Sequence, residues 1–266
     1  MESAVPPSSS EPSCPSCGGT GFALQETRGQ SVARLCACRT RLQGPPAVAD
    51  ALETARVPRH YRECEFDNFQ TPGQDALALT EAKSLARRWA TEYSRASERG
   101  LMFMGPPGAG KTHLAVAIVR HLKIEKGVQA LFYDVQDLLR TLQATFDRQS
   151  GMSELELLQP VLGAEVVLLD DLGGRQFTPW VEETLTHIIT TRYNERRPTL
   201  VTTNYLDEPG DARTPTLTDR IGPRVRSRLH EMCHLVAIRA QDFRRAVKRA
   251  DHYRVADRIA SREEPL

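Results

Sequence analysis

Gly105-Pro106-Pro107-Gly108-Ala109-Gly110-Lys111-Thr112 lies between two apolar segments of different character. Before it, Leu101-Met102-Phe103-Met104 is a short continuous apolar run suited to a buried strand, while His113-Leu-Ala-Val-Ala-Ile-Val-Arg-His-Leu122 after it repeats apolar residues at helical spacing. A polyphosphate needs several backbone N–H groups converging with no side chain in the way, and glycines ahead of a helix N-terminus supply that arrangement. Lys111 is expected to bridge the terminal phosphates and the Thr112 hydroxyl to ligate magnesium, with the positive end of the helix acting on the same site. The expected nucleotide-holding residues are Gly105, Pro106, Pro107, Gly108, Ala109, Gly110, Lys111, Thr112 and His113, and the expected cofactors are ATP and Mg2+.

Working outward, Val166-Val167-Leu168-Leu169 reads as a second buried strand ending in Asp170-Asp171. Asp170 is the candidate for holding magnesium through water and Asp171 the candidate general base toward the attacking water. Adjacent residues on a strand project to opposite sides, and this is the expectation for the two acids. A third strand, Thr199 to Thr203, ends in Asn204, whose amide can orient that water and sense the γ-phosphate. Val128 to Tyr133 reads as a further strand, and Ala76 to Arg95, Val135 to Arg148 and Val181 to Arg192 as helices. Strands alternating with helices imply an α/β fold, a parallel sheet covered by helices with ligands at the strand carboxyl ends.

Cys14-Pro-Ser-Cys17 and Cys36-Ala-Cys38 carry four of the six cysteines. Two close pairs of thiolates can complete a tetrahedron around zinc, although the spacing does not separate zinc from iron. Free or disulfide-bonded cysteines are the alternative, and a cytoplasmic setting argues against disulfides. Segment 22–35 between the pairs, with Gly29 in its middle, fits a short hairpin. So small a unit has little core, and metal binding would supply its folding energy. The expected organisation is a disordered Ser/Pro-rich tail over 1–12, a four-cysteine zinc-binding unit over 13–40, a linker over 41–56 that ends in a short helix, and the nucleotide domain over 57–266. Cys64 and Cys233 are isolated and read as packed, inert thiols.

A chain of 266 residues can bury one good core with a small satellite. With 26% charged residues and no apolar run long enough to span a bilayer, membrane insertion is not expected. Residues 1–12 contain Glu2 and Glu11 and lack the basic start and apolar stretch of a secretory signal, which implies a cytoplasmic protein. Net charge is only +1, yet Arg213 to Arg262 holds 13 basic and 5 acidic residues. That imbalance suits a nucleic-acid contact, and equally a set of solvated, arginine-rich helices.

Taken together, Gly105 to Thr112, Leu168-Leu-Asp-Asp-Leu-Gly173, Thr202-Thr203-Asn204 and Arg220-Ile-Gly-Pro-Arg224-Val-Arg-Ser-Arg228-Leu resemble the AAA+ ATPases of the DnaC/DnaI helicase-loader and IstB transposition-helper family. The similarity covers residues 55 to 245. Val57 to Phe69 is similar to the segment that precedes the core in these loaders, and the four-cysteine head resembles the zinc-binding front end of some of them.

The resemblance implies an AAA+ P-loop NTPase with a truncated C-terminal lid, 38 residues following Arg228. It implies that nucleotide lies between subunits of an ATP-assembled homo-oligomer, with Arg228 reaching the neighbour's γ-phosphate and Asn204 acting as the first sensor. Arg224, one turn earlier, would share its face. Phe243-Arg244 looks like the family's second-sensor pair. The Val135 to Arg148 helix occupies the region where the family places a DNA-contacting element, though an amphipathic core helix needs no such role. The second strand ends Asp-Asp rather than the commoner Asp-Glu, which points to slow hydrolysis.

Three functions stay open at this stage. The first is a loader that binds single-stranded DNA and a replicative helicase and hydrolyses ATP. The second is a transposition helper acting on duplex DNA, against which the four-cysteine head weighs. The third is a nucleotide-gated adaptor with little turnover.

Overall fold

A computed structural model of the chain describes residues 22–27, 30–35, 48–145, 153–175, 178–208 and 213–243. Two compact units divide near Val48. In the first, β1 (Phe22–Thr27) pairs antiparallel with β2 (Gln30–Leu35), from Phe22↔Leu35 to Thr27↔Gln30. This is the hairpin expected between the cysteine pairs. Cys14, Cys17, Cys36 and Cys38, like the tail over 1–12, lie outside the described residues.

The second unit is built on a parallel sheet of β3 (Gly100–Met104), β4 (Ala130–Asp134), β5 (Val166–Asp170), β6 (Thr199–Thr203) and β7 (Cys233–Ala237), in the order β4-β5-β6-β3-β7. Every residue of β3, β5 and β6 is buried, which is why these segments read as unbroken apolar or Thr-rich runs. Alternate residues divide between two cores. Leu101, Phe103, Leu168 and Leu200 pack on one face with α2 (Ala76–Glu92) and α3 (Lys111–Glu125). Met102, Met104, Val167, Leu169 and Val201 pack on the other with α4 (Val135–Ala144), α5 (Glu154–Gly163), α6 (Pro179–Asn194) and α8 (Pro223–Met232). The period of two along each strand thus produces a three-layer sandwich. A short helix, α7 (Leu217–Ile221), precedes α8.

Three features depart from the sequence expectations. β7 was not anticipated: as an edge strand it buries Cys233 and Val236 and exposes His234, Leu235 and Ala237, so it carries no continuous apolar signal. The 41–56 stretch does end in a helix, α1 (Val48–Thr54), but Leu52 and Ala55 are buried in the main core and the Phe132 N–H donates to Ala55 O at 2.8 Å. The packed unit therefore begins inside the stretch read as linker. The third departure concerns Asp171 and is described with the site.

The far end of the sheet is held by Arg192, which is completely buried. Its guanidinium donates to Thr199 Oγ1 at 2.9 Å and to the carbonyls of Val161, Ala164 and Pro198 at 2.9, 3.0 and 2.8 Å. Burial pushes its pKa down to about 9, so it remains a cation at neutral pH, satisfied by these acceptors. Among the described residues no helix is long and apolar enough to cross a membrane.

Candidate functional site

The strand carboxyl ends open into a cavity of about 970 Å³, lined by the phosphate loop, both acids, Asn204 and residues from the segment ahead of α2. Its floor follows from the connection between β3 and α3. Gly110 caps α3 in a left-handed conformation, φ 88°, and a Cβ there would fall 2.5 Å from the Phe69 ring. Only glycine allows both that bend and that approach. The first residue of α3 is Lys111, buried, whose ammonium donates to Gly105 O and Pro106 O at 2.8 Å each and to Asn204 Oδ1 at 2.7 Å.

Thr112 Oγ1 donates to Asp170 Oδ1 at 2.8 Å, and Thr202 Oγ1 to the same oxygen at 2.6 Å. Burial, partly offset by these two hydroxyls, raises the Asp170 pKa above the ordinary carboxylate range; Asp134 and Asp171 nearby raise it further. A buried acid among acids, with a hydroxyl beside it, is an oxygen set that fits a hard divalent cation such as magnesium. Thr112 and Asp170 can hold one.

Asp171 does not point away from Asp170 as strand alternation predicts. Its backbone turns left-handed at φ 54°, and its amide donates to Thr202 Oγ1 at 3.0 Å, so both carboxylates line the same cavity. Asp171 Oδ1 accepts from Asn204 Nδ2 at 2.8 Å and Oδ2 from Gln136 Nε2 at 2.7 Å. Lys111, Asn204, Asp171 and Gln136 thereby form one continuous polar chain over the ends of four neighbouring elements. The loop beyond is fastened by Arg220, which donates to Gly173 O at 2.8 Å and Arg175 O at 3.0 Å while lying 4.9 Å over the Tyr205 ring.

Tyr61, Cys64, Phe69 and Leu79 also line the cavity and give it an apolar surface suited to a flat heterocycle. His113 lines the cavity, but its Nε2 lies 2.8 Å from Glu65 O and its ring meets Phe69 edge-on at 5.2 Å. Burial lowers its pKa, the Glu65 carbonyl working the other way. Cys64 and Cys233 are buried thiols pushed up to about 11 and about 12 by desolvation, inert as expected. At the mouth the Phe243 N–H donates to Gly108 O at 3.2 Å, and Asp242 lies against Gly108. Arg244 lies outside the described residues.

Arg228 is not brought to this cavity. It sits on α8 with Arg224, its guanidinium donating to Arg224 O at 3.3 Å. Among the described residues lining the cavity, Lys111 is the sole lysine or arginine. Sequence reading did not single out Gln136 or Asp134. Both stand at the carboxyl end of β4, where ligands of parallel sheets gather, and that position was the available signal.

A model of the IstB-like ATP binding protein family matches residues 41–251. The replicative helicase loader DnaC of Escherichia coli K12 is 28% identical over 169 residues, and the chain spans 64% of that relative's length, just under two thirds. Among solved structures, the DnaC helicase loader superposes with a TM-score of 0.59 and 32% identity, covering 68% of this chain and 99% of that one. DnaI superposes with a TM-score of 0.55 at 22% identity, covering 70% of this chain and 93% of that one, a likeness of fold. With the family model matching residues 41–251 of the chain and a helicase-loader structure matched almost end to end, this chain belongs to the DnaC/IstB-like family of AAA+ ATPases.

Proposed function

We propose that this protein is an ATP-dependent helicase loader. It binds ATP with magnesium, assembles with further copies of itself on single-stranded DNA, engages a replicative helicase and hydrolyses ATP slowly. The observation that carries the reading is the polar chain from Lys111 through Asn204 to Asp171, beside the Thr112–Asp170 pair.

Lys111 exchanges its carbonyl partners for β- and γ-phosphate oxygens, with the backbone N–H groups of Gly108 to Thr112 around them. Thr112 and Asp170 would hold magnesium, which when bound would supply positive charge against the phosphates. Asn204, released from Lys111, orients a water molecule, and Asp171 accepts its proton as the water oxygen bonds to the γ-phosphorus and the bond to the β-phosphate oxygen breaks. A triphosphate brings more negative charge than Lys111 alone offsets. The deficit is met by Arg228 from a neighbouring copy, the kind of contribution that accelerates phosphoryl transfer by ~10³–10⁵.

The loader reading is favoured over a transposition helper by the helicase-loader relatives and by the four-cysteine head, for which we propose zinc. The family model, described as IstB-like, keeps the helper as second reading. Size-exclusion chromatography with and without ATP, in the presence of the host replicative helicase and single-stranded DNA, separates the two. A nucleotide-dependent complex with helicase supports loading; its absence, with ATP-dependent binding to duplex DNA instead, supports the helper. An adaptor that scarcely turns over ATP would form the helicase complex while wild type and Asp171→Asn showed the same negligible phosphate release.

A further inference from the structure

The helix that carries Arg224 and Arg228 has three faces. At about 100° per residue, Val225, Leu229 and Met232 fall together and are buried. Arg224 and Arg228 flank that stripe on one side, and Arg226 and His230 flank it on the other, roughly opposite the two arginines. This last pair shares one partner. Asp207 Oδ1 accepts from Arg226 Nε at 3.0 Å, and Asp207 Oδ2 lies 2.5 Å from His230 Nε2. Asp207 is 15% exposed, while Arg226 across the contact is 39% exposed.

Asp207 also stands three residues beyond Asn204, on a segment that is itself fixed. Tyr205 lies under the Arg220 guanidinium, and Leu206 O accepts from the Leu217 N–H at 2.9 Å. A single carboxylate therefore ties the tip of β6, where the γ-phosphate sensor is placed, to the back of the helix whose front presents arginines to solvent.

We propose that Asp207 is a positioning residue that fixes the Arg224/Arg228 helix to the sensor segment and so aims these arginines at the nucleotide of a neighbouring copy. This rests on the shared-site reading above. Asp207 does not line the cavity; it acts through the direction of α8. Loosening the clasp leaves the chain's own pocket intact and impairs what the chain gives to its neighbour.

Subunit mixing tests this on the full-length protein, with ATP turnover on single-stranded DNA as the readout. Asp207→Asn alone is expected to bind ATP like wild type and to turn over ~10²-fold more slowly, the loss that about 1 Å of misplacement can cause. Asp171→Asn, with an intact arginine helix and a dead pocket, is inactive alone. An equal mixture of the two is expected to recover activity toward a quarter of wild type, because random neighbours pair an intact pocket with an intact helix about one time in four. Arg228→Ala mixed with Asp171→Asn is the parallel control. Wild-type turnover by Asp207→Asn alone overturns the proposal. So does failure of its mixture to recover while the Arg228→Ala mixture does, since Asp207 would then serve its own pocket or the fold. If neither mixture recovers, the shared-arginine reading itself fails, and the role of Asp207 with it.

Discussion

Lys111 Nζ donates to Asn204 Oδ1 at 2.7 Å, joining the first residue of α3 to the residue just past β6 across 93 positions of sequence. Asn204 in turn donates to Asp171 Oδ1 at 2.8 Å. The group that would grip the γ-phosphate and the group that would take the proton are thus both held by one amide. The amide oxygen is engaged by Lys111 and one of its two N–H groups by Asp171, which leaves a lone pair and an N–H with which it can orient a water molecule.

From this arrangement, Asn204→Ala is expected to leave ATP affinity within about threefold of wild type, since Lys111 keeps its two backbone acceptors and regains them on nucleotide release. Turnover should fall by ~10²-fold, the usual loss when one preorganised polar group is removed from a reacting centre. Equilibrium titration with a fluorescent ATP analogue, alongside single-turnover hydrolysis, separates the two effects. A loss confined to affinity would contradict the assigned role.

Asp170 sets function against stability. Its pKa is raised in the folded chain, chiefly by burial. A raised carboxyl contributes stability below its unfolded pKa and loses it as pH rises through the folded value, so near neutrality the ionised acid is a burden on the nucleotide-free protein. Asp170→Asn should accordingly raise the melting temperature without nucleotide by a few degrees, 1 kcal/mol being worth ~2–4 °C in a domain of this size. The same variant should lose the magnesium dependence of ATP binding. Calorimetry with and without magnesium reads both, and a lowered melting temperature would contradict the electrostatic account.

Arg192 is expected to matter to folding alone. Arg192→Met removes the donor to four carbonyls and a hydroxyl, and each buried acceptor left unpaired costs ~1–3 kcal/mol. The urea midpoint should drop severely. Any variant that still folds should bind ATP normally, because Arg192 sits at the opposite end of the sheet from the cavity; weakened ATP binding in a folded sample would contradict that separation.

What could be read before the fold was known follows from how the signals arise. β3, β5 and β6 are covered on both faces, so burial demands apolar or Thr side chains at every position and the strands appear as runs. The phosphate loop is legible because its backbone bends dictate glycine. β7 is an edge strand with His234 and Leu235 exposed, and α5 carries Pro160 within it, so neither pattern stands out. The direction of Asp171 was hidden for another reason. Strand periodicity governs residues inside a ladder, and Asp171 is the first residue beyond it, where a left-handed turn brings its carboxylate back beside that of Asp170. Gln136 escaped because a glutamine one residue into an amphipathic helix has no signature of its own. Its role appears only when β4 and β5 are placed side by side.

The most direct test of the account is ATP affinity in Lys111→Ala, measured by calorimetry on the full-length chain with magnesium. The side chain lost is a buried cation held among Gly105 O, Pro106 O and Asn204 Oδ1 at the mouth of the glycine loop. Removing a charge-assisted contact of ~1.5–3 kcal/mol to phosphate should weaken binding by about 10- to 200-fold, with the fold preserved. Unchanged affinity in a folded Lys111→Ala protein would mean that the triphosphate is not held at this loop.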